Sequence, residues 1–462
     1  MFDSRTYAAR RKRLRRDLGS GVALFLGNDE SPMNYTANGY PFRQDSSFLY
    51  FFGLDTPGLA GIVDVDEGKD ILFGDDIDIE DIIWMGFLPT VKERAAEVGV
   101  KETRPAKALT AYLQDALAKG RMVHLLPPYR AEHRLKLQDC LGVPPAEAKA
   151  RASQAFIKAV VAQRSVKSEA EVAEIETALM TTCKMYETAM HMAQPGVYEH
   201  SIAGRINGIA MADGGANAFP TILTINGQIL HNHGYTNKLA KGRLMVVDSG
   251  AESALHYASD ITRTIPVGGK FTARQKDIYE IVLAANLGAI RFAKPGLPYK
   301  EVHLLASRII VDGLMDVGLM KGNSDDAIAQ GAHALFFPHG LGHMMGLDVH
   351  DMENLGENNV GYDQSVERSR QFGLAYLRMA RPLRPGHVMT VEPGIYFIPA
   401  LIDLWRAEKK ALDFVAYDKL EAYRGFGGVR IEDDILVTQD GVRVLGRPIP
   451  KTAAQVEAAS TV

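Results

Sequence analysis

The sequence predicts a two-domain chain of the α+β class, and three observations carry that prediction. At 462 residues the chain is longer than one hydrophobic core ordinarily serves. Its first part mixes short β-like runs with helical stretches and reads as an α/β domain. Its second part twice repeats a helix, a proline-glycine break and another helix, and β-rich sequence follows each pair.

Composition sets the outer limits. Hydrophobic residues make up 46% and charged ones 23%, which supplies a sizeable buried core and excludes wholesale disorder. A net charge of -4 gives no general attraction to nucleic acid or to anionic membranes, so the expected partner is a small substrate. Cys140 and Cys183 stand in no paired metal or redox spacing, which excludes a disulfide scaffold. The N-terminal MFDSRTYAARRKRLRR is basic without a following signal-like apolar core, and no stretch approaches a membrane-spanning run. A cytoplasmic protein is therefore expected. Tyr7, Leu14 and Leu18 recur at helical intervals among Arg10 to Arg16, which predicts a helix with a solvated basic face.

Along the chain, GIVDVDEGKDILF reads as a hairpin turning at Asp-Glu-Gly. From about Ala146 to Val166 the sequence is rich in alanine and charge, and the domain boundary is placed there, giving domains 1–156 and 157–462. Ser168 and Glu171 form a capping box, after which Val172, Ile175, Leu179, Cys183, Tyr186 and Met190 trace one helix face. That helix stops at Pro195-Gly196, and a second begins near Tyr198. The pattern returns from about Thr272, breaks at Pro295-Gly296 and resumes from Tyr299 through Ile310, so Pro195 and Pro295 mark equivalent points of a duplication.

The β-rich stretches carry the chemistry. Asp248 ends the strand-like Met245 to Val247, where an aspartate before Ser-Gly is ordinarily a turn residue. Asp260, in YASDITRT, runs on into Ile261 and Thr262; an acid inside such a strand needs an arginine or a cation to offset its burial. Two carboxylates on neighbouring strands of one hairpin can grip a cation from both sides. His339, His343 and His350 fall in PHGLGHMMGLDVHD. There Gly340 and Gly342 disfavour a helical zinc motif and let backbone approach a ligand closely. Glu392 precedes a proline-glycine turn in VMTVEPGIYF. In GGVRIEDDILVT, Arg430, Glu432 and Asp434 share one strand face. Four carboxylates and one imidazole form a hard set suited to two ions of manganese, cobalt or zinc. Two such ions roughly 3.5–4 Å apart share a water, lower its pKa and present hydroxide to a carbonyl carbon.

The motifs VVDSG, YASDITRT, PHGLGH, VEPG and RIEDD, in this order from about Val166 onward, resemble the pita-bread metallopeptidases, the family of methionine aminopeptidase, aminopeptidase P and prolidase. The resemblance implies a pita-bread catalytic domain with an internal pseudo-twofold repeat, in which Asp248, Asp260, His343, Glu392 and Glu432 hold two metal ions. It implies a substrate contact for His231 in ILHNHG, with His233 as a second candidate beside it. It gives His339 and His350 roles at the scissile bond and its oxyanion, and places Arg430 and Tyr396 next to the ligands. YPFRQDSSFLYFFGLDTPG resembles the creatinase-like N-terminal domain that accompanies aminopeptidase P and prolidase.

AYLRMARPLRPG, YFIPALIDLWRAEKKALDF and GFGGVRIEDD resemble the prolidase branch. That likeness implies an Xaa-Pro dipeptidase acting through a metal-bridged hydroxide, with manganese ahead of cobalt or zinc. It also implies that Arg378 clamps the dipeptide's free carboxylate, and that a homodimer forms in which Trp84 reaches toward the partner subunit's site. The alternatives are an aminopeptidase P acting on longer peptides and a catalytically silent pita-bread binding protein. Two departures stand out. Asp248 and Asp260 are twelve positions apart (260 - 248), one more than the family's hairpin, and the extra residue is expected in the turn around Ser253 to His256. INGQ also replaces the usual Gly-Ser-Gly-Glu-Asn segment upstream of the substrate histidine.

Overall fold

The computed structural model describes residues 1–461, and the chain forms two compact units. One consists of Met1–Arg164 with Glu353–Asn359, the other of Ser165–Met352 with Val360–Val462. The division thus follows helix Gln154–Arg164, whereas the sequence reading ended its first domain at residue 156. Among the described residues no helix is long and apolar enough to cross a membrane, and both cysteines are free and buried.

In the first unit a five-stranded sheet runs in the order Glu102–Arg104, Lys69–Phe73, Ala60–Asp64, Val22–Leu26, Val123–His124. The expected hairpin is its centre, paired from Ala60↔Phe73 to Asp64↔Lys69. Val22, Leu24, Ile62, Ile71, Leu113 and Leu137 fill the core between sheet and helices. Helix Ser4–Leu18 forms, but its basic face is not fully solvated as expected, since Arg10 and Arg11 are buried. Arg11 donates to Asp70 (2.9 Å) and to the carbonyls of Phe51 (2.7 Å) and Val98 (2.8 Å). A guanidinium can be buried when its donors meet oxygens in this way, a pairing that helical periodicity does not register.

The second unit follows the predicted duplication. Capping boxes at Ser168 and Thr272 open helices Glu169–Met192 and Ala273–Phe292. Each is followed, beyond its proline-glycine break, by a second helix, Glu199–Ala212 and Tyr299–Asp316. Their apolar faces, Ile175, Leu179 and Cys183 on one and Ile278, Val282 and Ala285 on the other, are buried.

Two antiparallel ladders carry the acidic motifs. Strand Leu244–Ser249 pairs with Ile261–Pro266 from Leu244↔Pro266 to Ser249↔Ile261. The same register continues to the bridge Glu252↔Ala258, so the two strands pair without a bulge up to the turn from Ser253 to Tyr257, where His256 adopts φ 66°. In the second ladder Val388–Val391 pairs with Asp433–Val437, and Gly394–Tyr396 pairs with Gly428–Arg430. Both segments keep one register, which sets Glu392 across from Glu432.

Candidate metal centre

The acids sit where the ladders open. Asp248 lies within its strand opposite Thr262, and Asp260 stands two residues before Thr262 on the same face. The two aspartates are therefore diagonal neighbours, not facing ones, a separation of roughly 7–8 Å between backbones. Asp260, Glu392 and Glu432 fall just outside the regular strands that the sequence led us to expect. Their backbone N–H groups are held from three directions: by the Asp434 carboxylate (3.0 Å), the Leu341 carbonyl (2.8 Å) and the Thr262 carbonyl (3.0 Å). A break in a ladder frees an N–H to be claimed by another element, and this is how three segments converge on one point.

Behind each ladder a helix supplies a clamp. The Tyr186 hydroxyl donates to the carbonyls of Val247 (3.0 Å) and Ile261 and accepts from Ser249 N–H (3.2 Å), bracketing Asp248 and Asp260. One turn earlier, Thr182 accepts from Ala251 N–H (2.9 Å) and bonds the Ser259 hydroxyl (2.8 Å). In the other half the Asn286 amide donates to the Val391 (3.0 Å) and Ile431 (3.4 Å) carbonyls, each immediately before a glutamate. Tyr186 and Asn286 are separated by the same interval as Pro195 and Pro295. Sequence reasoning gave Tyr186 only a packing role; aligning the two repeats on their prolines would have exposed both clamps.

The histidine segment is irregular, as the glycines imply. It lies along strand Val388–Val391, with His343 N–H donating to the Thr390 hydroxyl (3.1 Å) and Thr390 N–H to the His343 carbonyl (3.1 Å). A Cβ on Gly342 would run into the Thr390 carbonyl, and one on Gly340 would meet Leu377 Cα at 2.9 Å. These glycines thus serve the approach of backbone to backbone, where the sequence suggested approach to a ligand. The Met344 carbonyl accepts from His343 Nδ1 (3.0 Å), leaving Nε2 as the lone-pair nitrogen. Nε2 lies 3.4 Å from Asp260 Oδ2 and 3.8 Å from Glu392 Oε1. Ligand atoms of Asp260, His343 and Glu432 all fall within 4.8 Å of one another.

Arg430 ties the remaining groups together. It donates to Asp248 Oδ2 (2.6 Å), Tyr396 OH (2.9 Å) and Thr262 Oγ1 (3.1 Å), while Thr262 donates to Glu432 Oε2 (2.6 Å). His339 Nδ1 donates to the Gly340 carbonyl (2.8 Å), so its Nε2 accepts from the Tyr396 hydroxyl (2.8 Å). The His350 ring meets the His343 ring edge to face at 4.2 Å. Partial burial lowers His231 most, and the charges of Arg430, Asp248, His350 and Arg378 act on it to a lesser degree. The field of Arg378 also reaches His339, His343 and Glu392. His233 is exposed and forms no described contact with this group, and Trp84 belongs to the other unit.

The electrostatics ask for cations. Burial, reinforced by neighbouring carboxylates, pushes Asp260 and Glu432 well above the usual carboxylate range, and burial raises Glu392 to about 8. Burial drives His343 well down and His339 down to about 3, so both imidazoles are neutral. Asp433 shows the contrast on the opposite strand face. Although burial pushes it up, Arg263 and Lys451 hold it at about 2. Among the described residues no arginine or lysine pairs with Asp260 in that way. Asp248 Oδ1 and Asp260 Oδ1 are buried without a hydrogen-bond partner, an arrangement costing on the order of 1–3 kcal/mol per group unless compensated. Divalent cations held by these oxygens and His343 Nε2 fit that need, and the oxygen-rich donor set suits them.

This two-domain architecture with its buried cluster of carboxylates and histidine is that of the pita-bread metallopeptidases. The chain belongs to metallopeptidase family M24, whose model matches residues 173–439; residues 7–124 match the aminopeptidase P N-terminal domain. It is 31% identical over 447 residues to the Xaa-Pro dipeptidase of Homo sapiens, covering 95% of this chain and 88% of that one. It is 33% identical over 420 residues to a protein of Fusarium vanettenii described as a probable Xaa-Pro aminopeptidase, covering 90% and 87%. Among solved structures, Escherichia coli aminopeptidase P in its low-pH form superposes with a TM-score of 0.82 at 30% identity, covering 100% of this chain and 98% of that one. The Pseudomonas aeruginosa aminopeptidase PepP gives 0.81 at 28% identity with the same coverage.

Proposed function

We propose that the protein is an Xaa-Pro dipeptidase, with Asp248, Asp260, His343, Glu392 and Glu432 as ligands of two divalent cations, manganese before cobalt or zinc. The cations would supply Lewis acidity and an activated water for attack on the scissile carbonyl. The chain's own residues do the rest. Thr262 and Arg430 fix the carboxylates of Glu432 and Asp248 through the bonds described above. In the bonds described both nitrogens of His339 are engaged, its N–H by the Gly340 carbonyl and its lone pair by the Tyr396 hydroxyl, so steadying the developing oxyanion would require the ring to release the carbonyl and turn that N–H toward substrate. In this reading His350, which packs on His343, and His231 move a proton to the leaving nitrogen. Proline's amide carries no N–H, which is why a dedicated site is needed.

What supports the dipeptidase reading is Arg378 in AYLRMARPLRPG, the stretch that resembles the prolidase branch; beside burial, the main influence on Glu392 and His339, its charge is a smaller one. A guanidinium there can bind the free carboxylate just beyond the scissile bond and so select dipeptides. Aminopeptidase P activity is the second reading, favoured by the full-length superposition on that enzyme. One panel decides between them: Xaa-Pro dipeptides against Xaa-Pro oligopeptides, each with manganese, cobalt and zinc. The dipeptidase reading predicts dipeptide turnover that Arg378→Ala cripples, and efficient cleavage of oligopeptides by the wild type would overturn it.

We propose further that the protein is a homodimer. Helix Ile79–Met85 buries none of its residues and, with Phe87, exposes Ile83, Trp84 and Met85, an apolar patch monomers rarely leave uncovered. Trp84→Glu is expected to shift the sedimentation coefficient to that of a monomer.

A further inference from the structure

Lys167 and Asp351 form an ion pair (2.8 Å) in which each side chain is only 1% exposed. Neither belongs to the metal centre, and a buried pair of this kind seldom contributes net stability over an apolar replacement. Its position suggests another purpose. The chain comes into the second unit at Ser165 and leaves it after Met352, so the pair joins the incoming and outgoing segments within that unit. The exit is held in an unfavourable conformation, because Met352 is a buried non-glycine residue with φ 64°.

From this pair, contacts run toward His343, Asp260 and Glu392. Asp351 N–H donates to the Met344 carbonyl (2.9 Å), the same oxygen that accepts from His343 Nδ1. His350 directly precedes Asp351 and packs on His343. Gly346 leaves room for the pair, since a Cβ there would meet Asp351 Oδ2 at 2.6 Å and Lys167 Cε at 3.0 Å. The carbonyl of that glycine accepts from Ala258 N–H (2.7 Å), two residues before Asp260. Lys167 N–H donates to the Gly386 carbonyl (2.8 Å), just ahead of the strand leading to Glu392.

We infer that the buried Lys167–Asp351 pair is a positioning device that locks the loop Met344 to Asp351, and through it the tautomer and aim of His343 and the placement of His350. Fixing a histidine ligand's second nitrogen commonly governs affinity for the ion by 10–100-fold. This inference rests on the metal-centre reading above, and the test separates the two.

Full-length wild type, Lys167→Met, Asp351→Asn and the double variant are stripped with chelator and titrated with Co2+. Dissociation constants are read from the visible absorption bands, and folding is checked by thermal melts. The inference expects wild type to give a defined spectrum. It expects each folded single variant to bind at least about 10-fold more weakly with an altered spectrum. The double variant, which leaves no uncompensated charge, is expected to recover melting temperature without recovering affinity. Should Lys167→Met fail to fold, Asp351→Asn and the double variant carry the same comparison. If the folded variants bind Co2+ within twofold of wild type and with its spectrum, the pair is merely structural and the inference is overturned. If wild type itself binds no Co2+, the metal-centre reading is the one that fails.

Discussion

The two halves of the catalytic unit are built alike and used differently. In each, an acid stands at a strand's end or one residue past it, before a short Ser-Gly or Pro-Gly step, a second strand returns in one unbroken register, and a helix residue clamps the flanking carbonyls. Yet Glu392 faces Glu432, whereas Asp248 faces Thr262 and Asp260 is displaced by two residues along its strand. The position equivalent to Asp260 in the second half is occupied by Arg430, across from Gly394 as Asp260 is across from Gly250. The halves join along Thr262↔Glu432, with the Asp434 carboxylate holding Asp260 N–H on one side and Thr264 bonded to Arg430 on the other. Duplication thus supplies the frame, and opposite charges at one equivalent position make it asymmetric: one half adds a carboxylate, the other a cation that reaches back to Asp248.

If the seam is the core of the site, breaking it should have the largest effect. Glu432→Gln keeps the side chain's shape but removes charge at the point where both halves meet. The expected loss is several kcal/mol of transition-state stabilisation, roughly a 10^3-fold fall in kcat/KM, with bound metal reduced as measured by elemental analysis. Asp260→Asn should match it. Arg430→Met should instead retain metal and lose kcat, because it removes a positioning cation and not a proposed ligand. Equal metal loss in all three would erase the asymmetry.

Acidity provides a second contrast. With Glu392 raised from 4.5 to about 8 in the folded chain, the native state holds a proton that the unfolded chain has already released. Stability of chelated protein should therefore be greatest below pH 4.5 as far as this group is concerned, and decline as pH rises through about 8, by on the order of a few kcal/mol. Asp260 and Glu432 act in the same direction. His339, lowered from 6.5 to about 3, opposes them: its contribution is full above pH 6.5 and is lost as pH falls toward 3. Saturating manganese should abolish the alkaline decline and leave the acid one. Urea titrations across pH, with and without metal, measure both limbs, and an alkaline decline unchanged by manganese would speak against cations relieving these carboxylates.

The clamps allow a comparison within stability alone. Tyr186→Phe strips three backbone groups of their partner, and Asn286→Ala strips two, in a region where an unmet buried group costs about 1–3 kcal/mol. Both variants should lower unfolding free energy by about 2 kcal/mol or more, with Tyr186→Phe the more harmful. A neutral Tyr186→Phe would mean that the first ladder holds without its clamp.

Much of this was legible in the sequence, for reasons that differ between residues. The paired helices were visible because capping boxes and proline-glycine breaks are local signals, and the acids because carboxylates are rare among apolar strand residues. Asp434 was placed on the correct face by alternation, but its bond to Asp260 N–H joins positions far apart in the chain, and no local pattern encodes that. Thr262 was likewise hidden: a threonine in a strand looks ordinary until Arg430 and Glu432 are seen to share its hydroxyl. Arg11 was misread because its partners, Asp70, Phe51 and Val98, are all distant in sequence. Trp84 was recognised by its neighbours in sequence, while its 79% exposure is a property of the folded surface.

The smallest expected effect concerns the length of the turn in the first hairpin. Because the ladder keeps one register to Glu252↔Ala258 and is pinned by Thr182 and Tyr186, the turn from Ser253 to Tyr257 can change length without moving the aspartates. Deleting Ala254, which is exposed, should therefore leave metal content unchanged and kcat/KM within about threefold, with a stability change under about 1 kcal/mol, since loop length enters closure entropy only logarithmically. Deleting Ser259 instead shortens the strand side of the turn, where a one-residue slip turns every following side chain to the other face. That variant should lose metal as Asp260→Asn does. If the two deletions prove equally damaging, the turn and not the ladder sets the position of Asp260, and the first half depends on a length that its counterpart, with its long insertion between Glu392 and Glu432, does not need.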